Sequence, residues 1–459
     1  MPKMKKKFKF RPSIWQFLAL GYLAAILIGS VLLVLPCAAE SGENSYINAL
    51  FTSASAVCVT GLSPYVTSEH WSLFGQIVLV FLIQLGGLGF MTFVTSVFLL
   101  FRHSIGLYER KALFASVGGS DKLAGLPRLL KRIFIGTAVF ELLGACLLCI
   151  RLVPDYGGYG VYLSVWHSVS AFCNAGFDLI GPDSLAIYAT DPTVTLTISG
   201  LIIIGGTGFL VWGDIIECRF NPKKFQLNTK IVLLMTAILL IVSTGLFMAF
   251  EWNNTLQGRN FGEKLLMSIF NATTPRTAGF YTTYPGNFTD SSFALTLILM
   301  VIGGCSGSTA GGIKVGTFAV IVMGMINVFR GRRDINIGKK RIEFSLVEQA
   351  LAIFAAFLMF AMLAVIIICA IENGNPDIAY SLAADGKSLF EKVIFECFSA
   401  LGTVGLSLSL TPYLSIASKI IIIILMYAGR VGILTLALAL GEKHSTAEVR
   451  KPVDTLLIG

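Results

Sequence analysis

Eight stretches of the chain, approximately 14–36, 72–101, 129–152, 193–216, 229–250, 291–329, 345–371 and 415–440, are apolar for about twenty residues or more. A helix rises 1.5 Å per residue, so a run of that length crosses the ~30 Å hydrocarbon core of a bilayer. A soluble fold has no interior large enough to hide eight of them. The 459 residues are 55% hydrophobic and 13% charged, against about 25% charged in a soluble domain. The spacing predicts an all-α integral membrane protein.

A formal net charge of +9 in a soluble chain would suggest nucleic acid; in a membrane chain what matters is where the basic residues sit. Of 35 Lys and Arg residues, 26 fall in the N-terminal tail, in loops 102–132, 218–230 and 330–343, and after Gly441. All of these lie on one side of an eight-crossing topology, and cytoplasmic loops carry the excess of Lys and Arg. Both termini are therefore expected in the cytoplasm. The opposite loops hold Glu40, Glu43, Glu69, Asp155, Asp183, Asp191, Asp290, Glu372 and Asp377, a mildly acidic face that would concentrate cations. No nucleic-acid partner is expected. The basic start followed by an apolar run also resembles a signal peptide, but 14–35 is longer than a signal core of ~7–15 residues, so it reads as a retained first helix. The nine cysteines form no Cys/His cluster, and Cys146, Cys149 and Cys369 sit in apolar runs as small hydrophobes.

Between members of each pair of long runs lies a half-apolar segment of about 12 to 14 residues: 46–58, 160–173, 263–274 and 389–401. These are too short to span and fit re-entrant half-helices. Each is followed by a small, polar stretch ending in glycine and a bulky apolar residue: AVCVTGLS with Gly61, AFCNAGFD with Gly176, PRTAGFYT with Gly279 and LGTVGLSL with Gly405. A second glycine cluster begins at Gly86, Gly205, Gly303 and Gly429, which is 25, 29, 24 and 24 residues further on. Each unit starts and ends on the basic side, so the repeats are parallel and surround one axis along the membrane normal. The predicted architecture is four helix–pore loop–helix repeats with pseudo-fourfold symmetry around a central pore. The units are a basic tail (1–13), repeats at 14–101, 102–217, 218–329 and 330–440, and a C-terminal tail (441–459).

Irregular backbone at membrane depth is tolerated only where it is buried in protein or lines water. Four such loops can place carbonyl oxygens around one axis and replace the hydration shell of a potassium-sized cation. Glycine permits the backbone turns that this needs, and the half-helix C-termini bring partial negative charge. The alternative is that the glycines serve close helix packing. That alternative stands evenly for the second clusters and poorly for the four loop glycines.

With VTGL, NAGF, TAGF and TVGL each after a half-helix, nearly the whole chain resembles the Trk/Ktr/HKT superfamily of potassium transporters, and the closing DTLLIG resembles bacterial Ktr membrane subunits. The resemblance implies potassium uptake across the bacterial cell membrane, with K+ as substrate and no covalent cofactor. It further implies a homodimer with one pore per protomer, sodium as an activator, and a KtrA-type (RCK) cytosolic ring that binds the regulating nucleotide in place of this chain. It assigns the filter to Cys58, Val59, Thr60 and Gly61; Cys173, Asn174, Ala175 and Gly176; Arg276, Thr277, Ala278 and Gly279; and Gly402, Thr403, Val404 and Gly405. In plant relatives a serine at the first filter position accompanies sodium preference; Gly61 here favours potassium.

The sixth run is interrupted by GGCSGSTAGGIK. Glycine costs about 1 kcal/mol per helical position relative to alanine, so this tract should unwind in mid-membrane, either as a flexible kink or, as the family implies, as a gate beneath the filter. The gate residues are then Gly303, Gly304, Cys305, Ser306, Gly307, Ser308, Thr309, Ala310, Gly311, Gly312 and Lys314, with Arg430 from the last run. An arginine at bilayer centre costs at least ~2.5–3.5 kcal/mol and should face the pore as an electrostatic barrier, or anchor the glycine-rich loop, or do both. Arg276 is expected to anchor its loop, to an acidic partner that the sequence does not identify, and Glu141 and Glu396 to be paired internally. No nucleophile–base constellation is visible, so an enzyme is not expected. A sodium-permeable relative and an ion-coupled secondary transporter remain as alternatives.

Overall fold

The computed structural model describes residues 13–42, 44–89, 126–331, 335–337, 340–378, 382 and 386–440. The basic N-terminal tail, most of loop 102–132, the second run beyond Gly89 and the C-terminal tail with DTLLIG lie outside the described residues.

Among these, four uninterrupted helices are long and apolar enough to cross a bilayer, and each opens one repeat. These outer helices are Ile14–Val34, Leu126–Tyr156, Leu227–Phe250 and Phe344–Glu372. Their free faces are hydrocarbon, with Leu142, Ile150, Ile241 and Ile366 all exposed, as lipid contact requires. The first of them packs into the fold: Ser53 Oγ donates to Ile26 O at 2.7 Å. Each outer helix is followed by the expected half-helix, at Tyr46–Cys58, Gly158–Phe172, Phe261–Thr273 and Leu389–Gly402. These pore helices are the most deeply buried elements, with Phe51, Phe172, Phe270 and Phe395 all in the core. Two of them start on capping boxes, Asn260 with Glu263 and Ser388 with Glu391.

The four inner helices begin at Leu73, Pro192, Asp290 and Ile416, behind the N-caps Ser72, Asp191, Thr289 and Ser415. Two of these caps are also held by the end of their own repeat's outer helix. Glu251 accepts from Thr289 N at 2.9 Å, and Glu372 accepts from Ser415 N at 2.9 Å. The architecture is therefore the four parallel helix–pore loop–helix repeats read from the sequence.

Three details differ from that reading. Only the sixth run was expected to break, yet all the inner helices end or bend at a glycine with positive φ or at the glycine tract. The second stops at Gly89 (φ 80), and the last is broken at Gly432 (φ 91). The fourth run is Pro192–Gly206 and Phe209–Glu217, bent by 88° around Gly208 (φ 92). A left-handed glycine resets the chain direction at no steric cost, and each of these breaks falls in a glycine cluster that suggests close packing as readily as bending. The loop after residue 330 holds a short antiparallel hairpin, Ile335–Ile337 with Lys340–Ile342, where only a basic connection was expected. Finally, Cys146 and Cys149, which the sequence presents only as small hydrophobes, stand in C-x-x-C spacing on the second outer helix, both as free thiols.

Candidate functional site

The pore loops repeat one backbone conformation. The residue two before each loop glycine is left-handed although it carries a side chain: Val59 (φ 56), Asn174 (φ 59), Thr277 (φ 71) and Thr403 (φ 51). Gly61, Gly176, Gly279 and Gly405 follow with φ of 95, 73, 79 and 95. Strain of this kind costs about 1–3 kcal/mol per residue and survives only where the surroundings enforce it. Here the enforcement comes from the pore helix itself. Thr60 N, Ala175 N and Val404 N each donate at 2.8 Å to the carbonyl five residues back, Ser55, Ser170 and Ser399, and Ala278 N donates at 3.0 Å to Thr274 O.

The side chains of those same four residues pin the other end of each loop. Ser55 Oγ accepts from Gly61 N at 3.0 Å and Ser399 Oγ from Gly405 N at 3.0 Å. Ser170 Oγ donates to Phe177 O at 2.7 Å, and Thr274 Oγ1 donates to Phe280 O. The sequence reading missed these hydroxyls, although a serine six residues before the glycine in three of the four copies was a usable signal.

The four glycines close a ring. A Cβ on Gly61 would lie 2.6 Å from Ala175 O, one on Gly176 2.7 Å from Ala278 O, and one on Gly279 2.7 Å from Val404 O. One on Gly405 would overlap Thr60 O, completing the circuit. Thr60, Ala175, Ala278 and Val404 thus set their carbonyl oxygens in cyclic order around one axis. A ring of uncharged main-chain oxygens can stand in for the water around a dehydrated alkali cation. Beyond the ring, on the side of the residues that follow the glycines, a cavity of about 250 Å³ is lined by all four glycines together with Asp178, Tyr281 and Tyr284.

The second glycine clusters resolve as close packing. A Cβ on Gly86, Gly205 or Gly429 would collide with the carbonyl of Val57, Phe172 or Leu401, each four residues before a loop glycine. The inner helices thus back directly onto the pore-helix ends. Gly303 departs from this rule, facing Gly311 O of its own loop.

That loop runs from Ile302 to Lys314, between helices Asp290–Val301 and Val315–Phe329. Within itself it is tied by Gly303 N to Ile313 O at 2.9 Å and Val315 N to Gly304 O at 2.9 Å. Its middle is tied to the bend of repeat 2: Cys305 N donates to Gly206 O at 2.8 Å, Thr309 N to Gly205 O at 3.3 Å, and Phe209 N to Gly307 O at 2.8 Å. Lys314 Nζ donates back to Ala310 O at 2.8 Å, and Gly311 abuts the Thr403 side chain of the fourth pore loop. Arg430 spans the remaining gap. Its guanidinium donates to Thr309 O on the loop and to Gly86 O and Gly87 O in repeat 1. Arg430 directly follows Gly429, a position held by Gly87, Gly206 and Gly304 in the other clusters.

The remaining candidates fall behind the ring. Arg276 is buried beside the third loop with its Nε unbonded, and among the described residues it forms no salt bridge, so the acidic anchor expected for it is not there. Glu396 accepts from Ser407 Oγ at 2.8 Å and from Thr411 Oγ1. Glu141 accepts from Gln84 Nε2 at 3.3 Å, close to the Cys173 thiol. Both carboxyls have protein partners.

Comparison with known proteins bears on the family and the fold. The family described as TrkH, cation transport protein, matches residues 20–450. The chain is 39% identical to the Ktr system potassium uptake protein B of Bacillus subtilis, covering 100% of this chain and 99% of that one. It is 38% identical to the potassium/sodium uptake protein NtpJ of Enterococcus hirae, over 100% of both. The crystal structure of the potassium transporter TrkH from Vibrio parahaemolyticus superimposes with a TM-score of 0.71 at 18% identity, covering 95% of this chain and 86% of that one.

Proposed function

The chain belongs to the TrkH family of cation transport proteins, and we propose that it takes up potassium through the ring formed by Thr60, Ala175, Ala278 and Val404. The observation that carries this reading is the cyclic arrangement in which each loop glycine faces the neighbouring loop's carbonyl. An entering ion sheds water in the cavity over Gly61, Gly176, Gly279 and Gly405 and exchanges it for main-chain oxygen. The membrane potential, worth ~2.3 kcal/mol per charge per 100 mV, drives it inward. The filter extends to the flanking residues from Cys58, Cys173, Arg276 and Gly402.

The loop from Gly303 to Gly312, with Lys314, is the gate. It lies on the side of the ring where the pore helices end, and Arg430 latches it to repeat 1. The guanidinium also sets a positive charge in the path, so barrier and anchor are one residue doing two jobs. Opening requires the loop to leave Gly205, Gly206 and Arg430 together. Coupling to other ions through intramembrane carboxylates is the weaker reading, because Glu141 and Glu396 are both occupied by protein donors.

In the same reading the protein is a bacterial cell-membrane homodimer with cytoplasmic termini. It is activated by sodium and regulated by a KtrA-type cytosolic ring that binds the nucleotide, and its repeats divide at 101/102, 217/218 and 329/330. The names of two sequence relatives, a potassium uptake protein and a potassium/sodium uptake protein, support the uptake part of this reading. The test is rubidium-tracer uptake into vesicles of the purified protein, with and without sodium and the soluble partner. Potassium-competed uptake is expected; vesicles that stay impermeable under every condition would overturn the reading.

A further inference from the structure

On the far side of the repeat 2 bend from the glycine-rich loop lies a cavity of about 340 Å³, walled by Ile133, Gly136, Phe140, Phe209, Trp212 and Ile216. Its walls are almost wholly apolar. The indole N–H of Trp212 is already taken by Thr207 Oγ1 at 2.9 Å, and Thr207 Oγ1 donates to Ile204 O at 2.7 Å. Ordered water needs two or more polar partners, and these groups are spent on each other.

The bend follows 15 residues of inner helix from Pro192, about 22 Å along it at 1.5 Å per residue. That places the cavity within the hydrocarbon, toward the basic side. It opens outward rather than toward the pore: Ile216 is 53% exposed, and Phe220 at the end of the same segment is 75% exposed. Arg219 and Phe220 are both left-handed, with φ of 50 and 58, a costly pair of conformations that sets the aromatic ring out at the mouth. The mouth is also cationic. Arg132 lines it, paired with Glu217 at 2.7 Å, and Lys131, Arg219, Lys223 and Lys224 stand at the ends of the lining segments.

We propose that this cavity binds an acyl chain of an anionic phospholipid, with the phosphate held over the basic mouth. An apolar hollow facing the bilayer will be filled by what the bilayer supplies, and clustered Lys and Arg at the interface favour an anionic headgroup. The site also touches the gate. Phe209 forms a wall of the cavity, and its N–H donates to Gly307 O at 2.8 Å. A chain seated against Phe209 and Trp212 fixes the bend in the geometry that grips the loop, so bound anionic lipid favours the closed pathway. That last step rests on the gate reading above; the binding site itself does not.

The test uses the full chain in phosphatidylcholine nanodiscs, with a phosphatidylglycerol probe carrying a diazirine on one acyl chain. Crosslinks should concentrate in 133–140 and 209–220, and unlabelled phosphatidylglycerol should compete where phosphatidylcholine does not. Ile216→Trp, which fills the mouth, should cut the labelling by about fivefold or more with elution and rubidium flux in pure phosphatidylcholine unchanged. Labelling spread evenly over lipid-facing helices, equal competition by phosphatidylcholine, or crosslinks joining two copies through this face would each overturn the site. Raising the phosphatidylglycerol fraction should slow rubidium flux in the unmodified protein and not in Ile216→Trp. An unchanged flux alongside specific labelling overturns the link to the gate. A protein that passes no rubidium in any lipid breaks the transport reading and leaves the crosslinking result intact.

Discussion

The inner helices of repeats 2 and 3 start alike and part company at their glycines. In repeat 2 one left-handed glycine, Gly208, redirects the helix by 88°, and the helix resumes at Phe209. In repeat 3, five glycines within Gly303–Gly312 hold the chain out of helix from Ile302 to Lys314. The first solution keeps the chain helical on both sides of the break, and the bend shares only Gly205 O, Gly206 O and Phe209 N–H with the loop of repeat 3. The second borrows much of its hydrogen bonding, from Gly205, Gly206 and Phe209 of repeat 2 and from Arg430 of repeat 4. A segment held by partners on other elements can leave them as a unit, whereas a bend flanked by helix on both sides is anchored by those helices. Repeat 4 adds the third variant, in which Arg430 replaces the small residue and reaches across to bind the loop.

The sharpest way to break this comparison is at the ring, where all four repeats must agree. Gly405→Ala places a Cβ on Thr60 O at a φ of 95. Rubidium uptake should fall by roughly 100-fold, since strain of ~1–3 kcal/mol adds to the collision. Retained uptake with unchanged potassium-over-sodium preference would remove that loop from the filter. Next in size, deleting Cys305–Gly311 should raise flux about tenfold, a change equivalent to ~1.4 kcal/mol, and make it indifferent to the soluble partner. A fall in flux at normal expression and folding would turn the loop from gate into scaffold.

Arg430→Gln removes the positive charge and the charge-assisted bonds to Thr309 O, Gly86 O and Gly87 O. Such bonds contribute about 1.5–3 kcal/mol each, so flux should rise severalfold while the melting temperature drops; unchanged flux with lowered stability would make the residue an anchor alone. The smallest effect is expected from Gly208→Ala. Its left-handed backbone costs about 1–2 kcal/mol for a residue with a side chain and the new Cβ would press on Ser306 O of the loop at 2.9 Å, lowering thermal stability while uptake persists. A loss of uptake as complete as that of Gly405→Ala would show that the repeat 2 bend is part of the pathway and not only its support.

Much of this was legible in the chain itself. The outer helices, the four pore helices and the loop glycines are local signals, set by apolar run length and by the conformational freedom of single residues, and they were found where periodicity and spacing placed them. The left-handed Val59, Asn174, Thr277 and Thr403 were not foreseeable in this way. No propensity favours the β-branched Val59, Thr277 and Thr403 there, Asn174 alone being of a type that enters this region readily, and the conformation exists because Ser55, Ser170, Thr274 and Ser399 pull each loop back onto its helix. Arg276, expected to anchor its loop to an acidic partner, lies buried without a salt bridge among the described residues.

The sequence by itself determined that this chain lives in a bilayer, that it is built four times over, and that the backbone leaves the helix at the four pore loops and the glycine-rich tract of the sixth run. Hydrophobic length and glycine content are properties of a segment, and a segment carries them wherever it goes. The tertiary structure alone decided which carbonyl faces which glycine, that the second glycine clusters serve packing, and that Arg430 ends on Thr309 and Gly86. The ring and Arg430 contacts join residues more than a hundred positions apart and exist only once the repeats have closed around their axis, while the second clusters pack within a repeat, once its inner helix has folded back on its own pore helix.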